Sequence, residues 1–118
     1  MRLLVSACPA IGHLLPLLPL ARAARDRGHE VRIAAGGSLL PIVARSGFAA
    51  LPVGPASLDD ARLDPSMAGL TGPRRAVMMT RTGFAGSIAR GMATLLLAAF
   101  ADGPWRPDLS VHEDMELG

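Results

Sequence analysis

The sequence predicts an α/β fold: a Rossmann-like three-layer domain built on a parallel sheet. Three observations carry this. Short apolar runs near residues 3–7, 31–35 and 48–53 alternate with helix-like stretches, the β-α-β-α-β order that gives a parallel sheet with right-handed crossovers. The first run is apolar almost without interruption, as in a strand covered on both faces. Between it and the next helical stretch lies a glycine-bearing turn that ends in a histidine, Pro9-Ala10-Ile11-Gly12-His13. In an open α/β sheet, ligands collect at the carboxyl ends of the strands.

The first strand is expected over 2–7. A helix should follow from about residue 15, with Pro16 and Pro19 tolerated near its start because first-turn N–H groups have no helical partner. Leu17, Leu18, Leu20, Ala21 and Ala24 form its expected buried stripe, and Gly28 suits the left-handed residue after its last turn. Residues 30–35 read as the second strand. Ser38 is the expected N-cap of a helix over 39–46, closed by Gly47, and 48–53 is the third strand. The rhythm then breaks. Residues 54–73, with three prolines, three glycines and the pair Asp59-Asp60, read as a loop longer than a connection needs. Residues 74–101 are helical, expected in two pieces because Gly83, Gly86 and Gly91 weaken them. Residues 93–100 are apolar nearly all round and expected to be buried. Pro104-Trp105-Arg106-Pro107 is a rigid turn, and 108–112 is the fourth strand.

Composition narrows the function. The 118 residues suffice for one small domain, and half of them are hydrophobic, enough to bury a core. All twelve basic residues are arginine, so a high pI of 9.9 accompanies a net charge of only +2. The arginines are scattered, which argues against a nucleic-acid interface. The single cysteine, Cys8, leaves no intrachain disulfide and signals no metal site; it reads as a small buried hydrophobe. The apolar start resembles a secretory signal, but Pro9, Gly12, His13, Pro16 and Pro19 interrupt it. No apolar run approaches the ~20 residues of a membrane span. A cytoplasmic protein is expected.

His13 is the sharpest candidate for chemistry. An imidazole takes and gives protons near neutral pH, and the neighbouring Gly12 lets a ligand approach the backbone. The plain alternative is a turn histidine that caps the helix. Glu113 falls at the carboxyl end of the fourth strand, on the same sheet edge, where a carboxylate could orient the imidazole. Its plain alternative is a solvated acid clustered with Asp114 and Glu116. His29 fills a helix-to-strand turn, and strand alternation turns His112 away from Glu113. No GxGxxG, GxxxxGK or GxSxG sequence is present, which argues against dinucleotide, P-loop and serine-hydrolase sites. Methionines in and after the long loop, among them Met67 and Met78, could form an adaptable apolar wall or simply pack in the core.

Taken together, Pro9-x-x-Gly12-His13-x-x-Pro16, Leu20-Ala21 and Arg27-Gly28-His29-Glu30-Val31 resemble the start of the nucleotide-sugar glycosyltransferases of the GT-B fold. The branch most like it is the actinobacterial one acting on macrolides and other natural products. Gly47-Phe48, Pro52-Val53-Gly54 and Trp105-x-Pro107-Asp108-Leu109-x-Val111-His112-Glu113 fit the same branch. The resemblance implies that 1–118 is part of an N-terminal acceptor-binding domain, with a variable acceptor region over 54–104. It implies that His13 is the general base and that Glu113 stands where an aspartate usually pairs with it. It also implies an acceptor site that includes Ile11, Gly12, Met67, Met78 and Phe84. No metal and no cofactor are expected: the nucleotide-diphosphate sugar is a co-substrate, held mainly by a donor domain that this sequence lacks. The expected partner is a hydrophobic small-molecule acceptor. A chain of this kind should be inactive alone and could self-associate through an open sheet edge. The alternative function is a non-catalytic module that docks on a separate chain.

Overall fold

A computed structural model describes residues 1–56 and 65–113. The Asp59-Asp60 part of the long loop and the Asp114/Glu116 cluster lie outside the described residues. Among the described residues, four parallel strands, β1 (Arg2–Ser6), β2 (Glu30–Ala35), β3 (Ala49–Pro52) and β4 (Leu109–His112), form one sheet in the order β3-β2-β1-β4. The chain therefore grows outward from β1 through β2 to β3, then returns to place β4 on the other side of β1.

Alternation along the strands divides the core in two. Leu3, Val5, Val31 and Ile33 face Leu18, Ala21 and Val43 from the helices of one layer. Those helices are α1 (Ile11–Leu14), α2 (Leu17–Asp26) and α3 (Leu40–Arg45). Leu4, Cys8, Ala34 and Val53 face Phe84, Ile88, Met92 and Trp105 on the opposite layer. Trp105 is buried, with the Arg32 guanidinium 4.5 Å from its ring centre.

Several expectations need correction. The first helix does not run unbroken from residue 15. A short turn, α1, already starts at Ile11, and α2 restarts at Leu17. Pro16 has no N–H to continue the ladder, and its ring would press on the carbonyl four residues back, so the helix divides there and leaves His13 in a separate first turn. Leu20 is exposed rather than part of the stripe. Ser38 makes no side-chain cap; it lies in a 3-10 turn, Gly37–Leu39, and its backbone N–H donates to the Ala56 carbonyl at 2.8 Å.

A further correction concerns 72–102, which is one continuous helix rather than two pieces. α4 (Gly72–Met78) runs into a π-helical segment, Met79–Ile88, and then into α5 (Ala89–Asp102). Instead of breaking at its glycines, the helix widens. Thr82 and Thr80 hydroxyls donate to the Met78 and Ala76 carbonyls at 2.8 and 3.1 Å, giving those carbonyls side-chain donors within the disturbed ladder.

The last is burial. Phe84, Ile88, Met92, Leu96 and Phe100 recur every four residues and form the one face that meets the sheet. The other face is open: Leu97 is 70% and Leu95 45% exposed. By length and composition the helix Gly72–Ala101 reaches what a membrane crossing requires, since an 18-residue window within it has a mean hydropathy of 1.5, although arginines and glycines interrupt the apolar runs along it. Its Ile88 and Met92 face is nevertheless buried on the sheet.

Candidate active site at the junction of β1 and β4

The sheet reverses its direction of growth between β1 and β4, and the crevice at such a reversal is where open α/β sheets bind ligands. The register pairs Ser6 with His112, so the chains leaving both strands emerge side by side. One leads through Cys8 and Pro9 into α1, the other directly to Glu113. His13 Nδ1 and Glu113 Oε2 stand 2.9 Å apart, with the carboxylate side chain 9% and the imidazole 30% exposed. An ionised carboxylate can only accept, so Nδ1–H donates and Nε2 keeps its lone pair. The pair is thus arranged to accept a proton at Nε2, with a negative charge set against the other nitrogen.

Phe84, from the π-helical segment, closes the apolar side of the pair, its ring centre 6.2 Å from that of His13 at a tilt of 40°. Cys8 is fully buried beneath. Its sulfur, an imidazole nitrogen and a carboxylate oxygen all lie within 4.8 Å of one another. Spacing along the sequence gave no signal for this third member, because the turn that brings Cys8 back to His13 is a matter of three dimensions.

The other predicted site residues are placed as follows. Ile11 and Gly12 share the exposed turn with His13, and a side chain at position 12 would meet nothing within 4 Å. Met78 lines an apolar groove of about 490 Å³ with Leu70, Pro73, Arg74 and Val77. Met67 is 3% exposed and is absent from the groove wall. His112 lines a cavity of about 300 Å³ on the α5 side with Ser6, Ser110 and Phe100; its ring lies 3.3 Å from the Glu113 carbonyl rather than the carboxylate.

No family model matches the chain. It is 35% identical to the L-demethylnoviosyl transferase of Streptomyces niveus, over 99% of this chain and 30% of that one. It is 37% identical to the elloramycin glycosyltransferase of Streptomyces olivaceus, over 95% of this chain and 31% of that one. Its homologues are actinobacterial natural-product glycosyltransferases of the GT-B fold. Among solved structures, the glycosyltransferase SsfS6 of Streptomyces sp. SF2575, in complex with thymidine diphosphate, superposes with a TM-score of 0.79 at 31% identity, over 99% of this chain and 33% of that one. The chain thus spans about a third of the length of the glycosyltransferases it matches.

Proposed function

We propose that this chain is the acceptor-binding part of an inverting, nucleotide-sugar-dependent glycosyltransferase that acts on a hydroxyl of a hydrophobic natural product. The observation that carries the reading is the 2.9 Å pairing of His13 with Glu113 at the sheet's reversal point, together with homology to glycosyltransferases along nearly the whole chain. In this reaction the acceptor O–H gives its proton to His13 Nε2. The freed oxygen pair forms a bond to the anomeric carbon, and the bond from that carbon to the diphosphate oxygen breaks with its electrons on the leaving nucleotide. Attack opposite the leaving group inverts the centre. Glu113 stabilises the imidazolium as it forms and, as the hydrogen-bond acceptor of Nδ1, keeps the proton off Nε2 beforehand. Phe84, Ile11, Gly12 and the Met78 groove supply apolar contact for the acceptor. The nucleotide sugar is held mainly by a domain outside this sequence, so the chain alone does not turn over.

Calorimetric titration tests this division of labour. Hydroxylated polyketide-type aglycones should bind this chain, and TDP- or UDP-sugars should not. Saturable nucleotide-sugar binding by the chain alone would overturn the assignment.

A further inference from the structure

We propose that Cys8, His13 and Glu113 form a three-ligand site for a thiophilic divalent cation of the zinc class, whose occupancy prevents His13 from acting as a base. The donor atoms come from the two chains leaving β1 and β4, and all three fall within 4.8 Å of one another. The set combines a thiol, an imidazole and a carboxylate. A soft sulfur donor selects zinc-like ions and disfavours magnesium or calcium, which want an all-oxygen shell. Three protein ligands leave a fourth position open to water, the ligand count of zinc sites that are not closed structural ones.

The distances are close to what such an ion needs. A tetrahedral zinc with bonds of about 2.3 Å to sulfur and about 2.0–2.1 Å to nitrogen or oxygen separates its ligand atoms by roughly 3.3–3.6 Å. Nδ1 and Oε2, now 2.9 Å apart, need to open by a few tenths of an ångström. The widest separation within the 4.8 Å limit needs to close by at most about 1.2 Å relative to that geometry, within reach of side-chain rotation. Cys8 is fully buried and the carboxylate nearly so, while the part-exposed imidazole leaves an approach from solvent.

Proton balance gives the consequence. The thiol loses its proton to solvent as sulfur binds the ion. The ion takes the Nδ1 lone pair, so the proton that Nδ1 had donated to Glu113 moves to Nε2. A neutral imidazole bound through Nδ1 then has no lone pair left for an acceptor hydroxyl. Ion binding is independent of the glycosyltransferase reading; only the resulting inhibition rests on it.

The test is metal titration of the 118-residue chain with Co²⁺, followed by displacement with Zn²⁺. One equivalent of Co²⁺ should give the visible bands of a tetrahedral ion and a near-ultraviolet thiolate charge-transfer band, and Zn²⁺ should abolish both. Cys8→Ser should lose the charge-transfer band. His13→Ala, at a part-exposed position that burdens folding less, should weaken Zn²⁺ binding by more than the roughly 10–100-fold that loss of an outer-sphere partner costs. His112→Asn should leave binding unchanged. A Co²⁺ spectrum without the thiolate band, Zn²⁺ affinity unaltered by His13→Ala, or binding lost with His112 instead would each overturn the proposal.

Discussion

His13 Nδ1 and Glu113 Oε2 lie 2.9 Å apart although 100 residues separate them in the chain. The contact exists because β1 and β4 are hydrogen-bonded parallel neighbours in register, which sets Glu113, the first residue after β4, beside the turn that carries His13 from β1 into α1. A shift of β4 by one residue would move the carboxylate out of reach.

The first prediction concerns this pair in an enzyme completed by a nucleotide-sugar-binding domain. His13→Ala should lower kcat by roughly 10²–10⁴-fold, the range for a general base, with little change in acceptor affinity. Glu113→Gln should cost less, since the amide oxygen still accepts from Nδ1 but carries no charge to set against the imidazolium. The two effects should be strongly non-additive. Steady-state kinetics of the double-mutant cycle checks this: equal slowing by Glu113→Gln in the parent and in the His13→Ala background would show that the carboxylate does not act through the histidine.

The second concerns the fastening of β4 to β1. Asp108 accepts from the Arg2 backbone N–H at 2.7 Å and from its guanidinium at 3.2 Å. These bonds, the backbone one first, hold its pKa below the ordinary 3.8. A carboxylate with a lowered folded-state pKa contributes stability that is fully present above its unfolded value and is lost as pH falls through the folded value. The contribution is small because the group is exposed. Asp108→Asn should melt slightly lower than the parent at neutral pH. The difference should shrink as pH falls below 3.8, as thermal melts across an acid series would show; a constant gap would contradict it.

The third concerns the close approach of β3's exit to α5. Gly54 has φ +69°, and a Cβ there would lie 2.6 Å from Met92 Cγ, a side chain that is fully buried. Gly54→Ala should therefore cost about 2–4 kcal/mol, left-handed strain plus overpacking. The midpoint of denaturant unfolding should fall with an unchanged slope. Met92→Ala should relieve the crowding but not the backbone strain, so the double variant should be less destabilised than the sum. Strict additivity would show that the two positions do not press on each other.

Local chemistry determined much of this protein. β2 was expected and found over Glu30–Ala35, because the β-branched, apolar Val31 and Ile33 alternate with polar Glu30 and Arg32 between Gly28 and Gly36. Gly28 and Gly47 close α2 and α3 with positive φ, as the absence of a Cβ allows. The histidine turn after β1 was legible for the same reason: apolar run, glycine, histidine and proline are neighbours in sequence. What only the tertiary structure decided involves partners far apart or packing on one side. Leu95 and Leu97 are as apolar as Leu96, yet only Leu96 packs against the core beneath α5, because the sheet meets a single face of the helix. The π-helical segment that sets Phe84 beside His13 left no mark beyond glycines that suggested a break. Glu113 joined Cys8 and His13 only once β4 had returned to the side of β1. Sequence patterns report periodicity within an element; which elements become neighbours is settled by the burial of surfaces contributed by the whole chain.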